Sequence, residues 1–310
     1  MKSGNEMPEI AIMIEGQNGL TWPRWQRIVR LVEELGFVGL YRSDHFTNSQ
    51  PPDLESLEMW VSLTWLAANT SRIEFGPLVT PFSFRHPALT ARTAAALDDL
   101  SEGRFTLGVG AGWQEREHQL FGFDLLDVSD RFIRFEEGLE CISRLFQSNT
   151  PVTFTGKYFH LREAQILPHP KRRNGPPLLI GGNGFKKTLP LAARFANEWN
   201  ANFLLPEQFE KANKQLDALL SAASRTPESV RRSMMTGCVF AADEPGLKKK
   251  LETRGRTKSE LRDRGVIAGV GDEIKEQLQR LAEAGVQRVM LQWIELDDLQ
   301  GLKDLAKVVF

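Results

Sequence analysis

The feature that most constrains the fold of this chain is a regular alternation between short apolar runs and longer stretches with helical periodicity. Eight apolar runs have the length of a buried strand, and they cover residues 9–14, 38–41, 73–79, 105–109, 177–180, 198–202, 233–240 and 288–293. Between them, apolar residues recur every three or four positions, as in residues 22–35, which Gly36 follows. Strands that alternate with helices in this way indicate parallel pairing through crossover helices.

Eight strand and helix units predict a (β/α)8 TIM barrel, whose usual size of ~250 residues leaves room for insertions in a chain of 310. Residues 147–176 break the alternation with a predicted hairpin that turns at Gly156-Lys157. Residues 241–270 are rich in charge and are expected to form a mobile insertion. We therefore expect one barrel domain over residues 1–310, with insertions after the fourth and seventh strands. An open doubly wound sheet is the alternative, although no Gly-x-Gly-x-x-Gly motif opens the chain.

Composition excludes several classes of partner. The 39 basic and 40 acidic residues give a net charge of −1, which argues against nucleic acid and anionic membranes as ligands. The basic run at residues 248–258 is typical of a solvated helix face. No run reaches the ~20 apolar residues of a membrane span, and residues 1–8 lack the apolar region of a signal peptide. With Cys141 and Cys238 predicted as buried thiols and no metal-ligand spacing, we expect a metal-free cytoplasmic protein.

The fourth predicted strand ends in a glycine-rich stretch. Glycines at 108, 110 and 112 precede Trp113 and Gln114, and glycine lets the backbone approach a flat or anionic ligand closely. A tight turn without a ligand is the alternative. Trp113 and Trp293 both fall at strand ends, where an aromatic ligand could stack.

A second glycine cluster, Gly181-Gly182-Asn183-Gly184, lies between the fifth strand and a helix. Backbone N–H groups at a helix N-terminus form an anion site, which in barrels often holds a phosphate. Lys186 or Lys187 could add positive charge. A purely structural turn between strand and helix is the alternative here.

In a barrel, functional residues sit where the strands end. Glu15 and Gln17 follow the first strand, Asp44 and His45 the second, and Thr80, Arg85 and His86 the third. His45 can donate or accept a proton near neutral pH, and the adjacent Asp44 could orient its ring or contact a ligand. The alternative is that Asp44 caps a turn and His45 only packs.

Two further histidines receive structural interpretations. His86 precedes Pro87 and is expected to begin a helix. Glu117 and His118 lie either at the mouth of the pocket or on a solvated helix face, and we favour the solvated face.

Together these clusters resemble the bacterial luciferase-like monooxygenase family, and in particular its branch of oxidoreductases that depend on the deazaflavin coenzyme F-420. The residues that carry the likeness are Ile14-Glu15-Gly16-Gln17, Arg42-Ser43-Asp44-His45-Phe46, Leu107-Gly108-Val109-Gly110-Ala111-Gly112-Trp113, Glu117-His118 and Leu179-Ile180-Gly181-Gly182-Asn183-Gly184. The likeness extends over nearly the whole chain. It is more specific for the superfamily than for the cofactor.

The resemblance implies a luciferase-like barrel with the cofactor across its rim, beside Asp44 and His45, and with the cofactor's phosphate end near the second glycine cluster. It also implies a non-proline cis peptide at the end of the third strand, which we place at Leu78-Val79. Asp44 and His45 are the expected catalytic residues. The expected cofactor-binding residues are Glu15, Leu78, Val79, Thr80, Gly110, Gly112, Trp113, Gln114, Gly181, Gly182, Asn183 and Gly184.

One departure from the family pattern bears on the reaction. Alcohol and sugar-phosphate dehydrogenases of this branch carry a glutamate where this chain has Ala111, so their acid-base pair is incomplete here. We expect an oxidoreductase that moves a hydride between coenzyme F-420 and a small organic substrate. The alternatives are an FMN-dependent monooxygenase supplied with reduced flavin by a partner reductase, and a cofactor-binding barrel without turnover. The resemblance further implies a homodimer formed through the early helices.

Overall fold

The computed structural model describes residues 7–310. The segment 1–8, where no signal peptide is predicted, lies mostly outside this range, because residues 1–6 are not described. The strands are β1 (Glu9–Ile14), β2 (Gly39–Arg42), β3 (Glu74–Pro77), β4 (Thr80–Pro81), β5 (Leu107–Gly110), β6 (Val152–Thr155), β7 (His160–Ala164), β8 (Leu178–Gly181), β9 (Glu198–Asn202), β10 (Arg231–Phe240), β11 (Ile267–Gly269) and β12 (Arg288–Gln292). The helices are α1 (Trp22–Glu34), α2 (Met59–Asn69), α3 (Pro87–Leu100), α4 (Glu115–Phe121), α5 (Val128–Gln147), α6 (Thr188–Phe195), α7 (Pro206–Ala222), α8 (Glu244–Arg254), α9 (Lys258–Arg262), α10 (Asp272–Glu283) and α11 (Leu299–Val309).

The main sheet is parallel and runs in the order β3-β2-β1-β12-β10-β9-β8-β5-β4. Strands β3 and β4 are two halves of one interrupted strand: β3 pairs with β2, and β4 pairs with β5. A single bridge between Phe75 and Phe105 joins the remaining edges. When β3 and β4 are counted as one strand, the sheet forms the predicted eight-stranded barrel. The prediction of a barrel is therefore confirmed, and the alternative, an open doubly wound sheet, is not observed.

The interruption in the third strand coincides with the predicted cis peptide. The bond between Leu78 and Val79 is cis, as the family resemblance implies. The next strand lies unusually close, because a Cβ on Gly108 would stand 2.0 Å from the carbonyl oxygen of Pro77. Gly108 therefore allows two strands to pack closely. From the sequence alone, this reason for a glycine cannot be distinguished from the close approach of a ligand.

The core lies between the barrel and its ring of helices, as the amphipathic patterns predict. On α1 the buried residues are Trp25, Ile28, Val29, Leu31 and Val32. Each fully buried aliphatic side chain contributes roughly 1.5–3 kcal/mol relative to an exposed one, so this face fixes the helix on the sheet. A smaller cluster fills the barrel itself and consists of Ala11, Met13, Tyr41, Leu78, Leu179 and Met290.

The two predicted interruptions differ in outcome. Strands β6 and β7 pair antiparallel around Gly156 and Lys157, which confirms the hairpin. The charged segment after β10 is not the mobile insertion expected from the sequence. It has regular secondary structure: α8 and α9 lead to β11, which pairs in parallel with β10. Its charges lie outside a small core that contains Leu247, Leu261 and Ala268.

The amino-terminal end of the barrel is closed by charged groups. Arg288 is fully buried, and its Nη1 lies 2.7 Å from Glu74 Oε2 and 3.0 Å from the Tyr41 hydroxyl. Burial raises the pKa of the neighbouring Glu198. A cavity of about 870 Å³ opens beside this cluster, at the end of the barrel opposite to the candidate site. Within residues 7–310, no helix combines the length and the apolar character needed to cross a membrane.

Candidate active site

The site is built on His45, which follows β2 at the carboxyl end of the barrel. Its Nδ1 lies 2.8 Å from Oε1 of Glu117, a residue 72 positions further along the chain. The second oxygen of Glu117 accepts a hydrogen bond of 3.0 Å from the backbone N–H of Phe46. Glu117 sits in the first turn of α4, where the helix dipole favours a negative charge. The short helix after the β5 glycines therefore carries the carboxylate that holds His45.

The expectation of a solvated face for Glu117 and His118 is wrong, because both side chains are 1% exposed. His118 Nδ1 lies 2.7 Å from the Gln114 carbonyl, and its Nε2 lies 2.8 Å from the Ser83 hydroxyl. Burial lowers the pKa of His118 and favours its neutral form, and both of its ring nitrogens are engaged by other protein groups. Glu117 is the partner of His45 that the sequence reasoning did not assign to the site. The available signal was an acidic residue in the first turn of a helix that begins at the rim.

The surroundings of His45 favour its protonated form. Burial alone lowers the pKa of His45, but the hydrogen bond and charge of Glu117, with further contributions from Glu15 and Asp44, outweigh it and raise the pKa. If the hydrogen bond to Glu117 holds the proton on Nδ1, the other ring nitrogen is the one that exchanges a proton with a ligand. Nε2 bonds to no other residue in the described part of the chain, and a fifth of the side chain is exposed.

Asp44 does not orient His45, contrary to one of the roles expected for it. Its carboxylate accepts a hydrogen bond of 2.7 Å from the Thr80 hydroxyl and forms an ion pair with Arg85. Arg85 also pairs with Glu58 at 2.8 Å. Asp44 thus ties the loop after β2 to β4, and its charge acts on His45 without direct contact.

Glu15 adds a third carboxylate to the site. Its two oxygens accept hydrogen bonds of 2.7 Å from Gln292 Nε2 and 2.8 Å from Gln17 Nε2. The Gln17 side chain in turn accepts a hydrogen bond of 2.8 Å from the Ser43 hydroxyl. Side-chain amides, which carry no charge, therefore hold Glu15 at the rim.

Val79 brings two of the predicted glycines together. A Cβ on Gly110 would stand 2.6 Å from Val79 Cγ2, and a Cβ on Gly181 would stand 3.2 Å from Val79 Cγ1. Gly110, Gly181 and the Leu78-Val79 peptide therefore form one continuous floor at the rim. A side chain at Gly110 would clash with Val79, and one at Gly181 would require Val79 to shift by a few tenths of an ångström.

The turn after β8 combines a fixed backbone with free donors. The Asn183 side chain donates to the Asn202 carbonyl at 2.8 Å and accepts from the Asn202 N–H at 2.9 Å, so it binds the neighbouring strand. Gly182 has a φ of 127°, which favours glycine. Among the described residues, the backbone N–H groups of residues 183–187 have no hydrogen-bond partner. Free amides before α6 suit an anion, as the glycine cluster predicts.

The remaining candidate residues differ in their exposure and in the groups that they contact. Trp113 is 62% exposed, and its ring meets His45 edge to face with centroids 5.5 Å apart. Gln114 is buried and donates to the Thr47 carbonyl at 2.9 Å, so its side chain holds a loop. Trp293 is 2% exposed, and the prediction that a ligand could stack on it is wrong. His86 caps α3 by accepting from the Ala88 N–H, as expected.

Comparison with known proteins places the chain in a family. The sequence pattern of the luciferase-like monooxygenases matches residues 9–253. The 4-hydroxyprotoasukamycin monooxygenase of Streptomyces nodosus subsp. asukaensis is 30% identical over 183 residues, which are 59% of this chain and 47% of that protein. The F420-dependent glucose-6-phosphate dehydrogenase of Kineococcus radiotolerans is 34% identical over 156 residues, which are 50% of this chain and 46% of that protein. The chain thus spans about half the length of these two relatives.

A solved structure extends the likeness to the whole fold. An F420-dependent secondary alcohol dehydrogenase, in complex with an F420-acetone adduct, superimposes with a TM-score of 0.85 and 19% identity over 98% of both chains. At this identity the likeness concerns the fold alone. From the matched pattern over most of its length, the chain belongs to the luciferase-like monooxygenase family.

Proposed function

We propose that this protein is an oxidoreductase that uses a deazaflavin of the coenzyme F-420 type, with His45 exchanging a proton with a small organic substrate. One observation carries the proposal: His45 is held through Nδ1 by buried Glu117, while Nε2 has no partner in the described chain and Trp113 stands exposed beside it. The dehydrogenase relative, which its name describes as F420-dependent, supports this cofactor for the chain.

The residues at the rim fit such a cofactor. The free N–H groups of residues 183–187 suit its phosphate, and Lys186 and Lys187 add charge beside them. The floor formed by Val79, Gly110 and Gly181 suits a flat ring. When bound, a deazaflavin supplies or accepts a hydride at the carbon that replaces the flavin N5.

The chain's own residues then provide the proton. Glu117 accepts the Nδ1–H of His45, fixes the orientation of the ring and stabilises its positive charge. Nε2 is left to hold the proton that a substrate oxygen or carbon requires. Because Asp44 is bound by Arg85 and Thr80, we assign it the role of fixing the loop that carries His45.

An FMN-dependent monooxygenase is the second candidate, because one of the relatives is described as a monooxygenase. Unlike the F-420-dependent oxidoreductase, it would require oxygen, and it would require reduced flavin supplied by a partner reductase. Both candidates use the same rim, so cofactor preference separates them.

The test titrates purified protein with F-420 and with FMN and follows fluorescence. We expect saturable binding of F-420, followed by hydride transfer to or from a panel of carbonyl compounds and alcohols without oxygen. The variant His45→Gln should lose turnover and keep binding, whereas His160→Gln, on an exposed residue of β7, should change neither. Binding of FMN alone would replace this proposal with the monooxygenase. Binding of F-420 without turnover of any panel member would indicate a cofactor-binding barrel.

We also propose a cytoplasmic homodimer, served by a reductase that regenerates the reduced cofactor. The outer faces of α2 and α3 support the dimer. They expose Val61, Leu89 and Leu100, each more than half accessible. Exposed apolar side chains on two neighbouring helices offer a surface that another subunit could cover.

A further inference from the structure

We infer that the amino-terminal end of the barrel carries a second ligand site, which binds a small organic cation with a primary ammonium group and an alkyl chain. This site lies at the opposite end of the barrel from His45, so the inference does not rest on the proposed function. A cavity, a buried carboxylate oxygen without a partner and an excess of negative charge carry it.

The charged groups of this site come from the first residues of barrel strands. Five strands begin with a charged residue: Glu9 in β1, Glu74 in β3, Glu198 in β9, Arg231 in β10 and Arg288 in β12. The amino ends of parallel strands meet at one end of a barrel. The register places Glu9 beside Arg288 and Glu198 beside Arg231. Three carboxylates and two guanidinium groups are therefore gathered at the same end.

Arg288 binds two of the three carboxylates. Its Nε donates to Glu9 Oε2 at 2.9 Å, and its Nη1 donates to Glu74 Oε2 at 2.7 Å and to the Tyr41 hydroxyl at 3.0 Å. The third carboxylate is more distant, because Glu198 Oε2 lies 3.8 Å from Nη1, beyond hydrogen-bond distance. Arg288 therefore leaves Glu198 without a direct partner.

Arg231 does not supply this partner. Its Nη1 lies 3.6 Å from Glu74 Oε2, 3.8 Å from Glu198 Oε2 and 3.9 Å from Glu9 Oε2, so it stands among the carboxylates without a hydrogen bond to any of them. Within residues 7–310, Oε1 of Glu198 accepts no hydrogen bond, although the Glu198 side chain is only 5% exposed. An unpaired carboxylate oxygen is unfavourable in such a buried position.

The ionisation of Glu198 reflects this lack of a partner. Burial raises the pKa of Glu198, and the charge of Arg288, the Ser233 hydroxyl and the charge of Arg231 offset this effect only in part. A bound cation with N–H donors would stabilise the carboxylate directly. An ammonium group provides both the charge and the donors.

The wider cavity also has an excess of carboxylates. Arg104 donates to backbone carbonyl and threonine oxygens, and Arg172 pairs with Asp98 at 3.1 Å. Glu228 adds an exposed carboxylate. The described residues at this end thus include five carboxylates and four guanidinium groups, namely Glu9, Glu74, Asp98, Glu198 and Glu228, and Arg104, Arg172, Arg231 and Arg288. One further positive charge would balance them.

The cavity suits an organic cation better than a metal ion. Its volume of about 870 Å³ lies in the range of ~300–1,000 Å³ that is typical of small-molecule sites. Part of its lining is apolar and comprises Met7, Pro8, Phe105, Pro177 and Val286. In the part of the chain that the structure describes, no group of three or more His, Cys, Asp or Glu side chains could hold a metal ion. The ammonium group would thus lie at Glu198, with the alkyl chain against the apolar part of the lining.

The test compares butylamine with butan-1-ol, which has nearly the same shape and carries no charge at pH 7. Calorimetry and thermal melts of the full chain measure binding. We expect butylamine to bind saturably, at least about tenfold more tightly than butan-1-ol, and to raise the melting temperature. If neither compound binds, or if butan-1-ol binds as tightly as butylamine, the inference is overturned.

Two variants within the cavity should have opposite effects on butylamine binding. Glu198→Gln keeps the shape of the side chain and removes its charge, so binding should weaken at least about tenfold. Arg231→Gln removes a competing cation from a side chain that is 38% exposed, so binding should strengthen roughly twofold or more, and this variant tests the site even if Glu198→Gln does not fold. Glu34→Gln, on the exposed face of α1, is the control and should bind as the wild type does. Unchanged binding in either folded cavity variant would overturn the inference.

Discussion

Replacing Glu117 with glutamine tests the central contact of the site. Glu117 is 1% exposed and accepts hydrogen bonds from the His45 ring and from the Phe46 N–H. Glutamine has the same shape and keeps one oxygen for Phe46, but it presents a neutral amide to His45. A hydrogen bond to a charged group contributes about 1.5–3 kcal/mol, so we expect kcat/KM at pH 7 to fall roughly 10- to 150-fold.

The pH profile separates an effect on His45 from a loss of folding. The pKa of His45 is raised in the wild type, so a protonated donor persists above the ordinary value of 6.5, and activity declines as pH rises through the raised pKa. Glu117→Gln removes the main interaction that raises the pKa of His45, whereas burial still lowers this pKa. The alkaline limb should therefore move to lower pH.

The assay combines the rate of F-420 re-oxidation between pH 5 and 9 with an NMR titration of the His45 ring, which needs no turnover. Glu115→Gln, on the exposed side of the same helix, is the matched control and should match the wild type. Unchanged rates together with an unshifted His45 titration in Glu117→Gln would refute the role assigned to this carboxylate.

Three further predictions concern packing, assembly and stability. Gly110→Ala should lower the free energy of unfolding by about 1–3 kcal/mol in chemical denaturation, because its Cβ meets Val79 Cγ2 at 2.6 Å, and Val79→Ala in the same chain should restore part of the loss. An additive double variant would contradict this contact. Val61→Glu with Leu89→Glu should convert a dimer into monomers in light scattering, and a wild-type monomer would refute the proposed surface. Burial alone raises the pKa of Glu273, but bonds from Lys258, the Val270 N–H and Arg262 outweigh it and lower the pKa to about 2. Glu273→Gln should therefore cost about 1 kcal/mol at pH 7, and this difference should disappear as pH falls from 4.5 towards 2 in thermal melts; a constant difference would contradict it.

The barrel could be predicted from the sequence because each unit is recognisable locally. An apolar run of strand length and a helical stripe such as Trp25, Ile28 and Val32 need no knowledge of distant residues. Helix boundaries are harder to place. Helix α2 begins at Met59, where the Glu58 side chain caps it by accepting from the Val61 N–H.

The contacts of the site could not be predicted in the same way. His45 and Glu117 are 72 positions apart, and the helix pattern around Glu117 does not show that a histidine from another loop faces it. The neighbouring Asp44 is the obvious partner in the sequence, yet Arg85 binds it. The sequence therefore places Asp44 and His45 after β2, but it does not predict that Glu117 binds His45 and that Arg85 binds Asp44.

The interrupted third strand has a consequence for how the molecule moves. Four residue pairs join β2 to β3, whereas two pairs join β4 to β5 and one bridge, between Phe75 and Phe105, joins β3 to the segment just before β5. The barrel thus has a seam with few ladder hydrogen bonds, and sparse pairing favours local opening. Val79 and Thr80 lie on one side of this seam, and Gly110 lies on the other. A ligand that spans the rim would contact both edges, and its binding free energy would then stabilise the closed barrel.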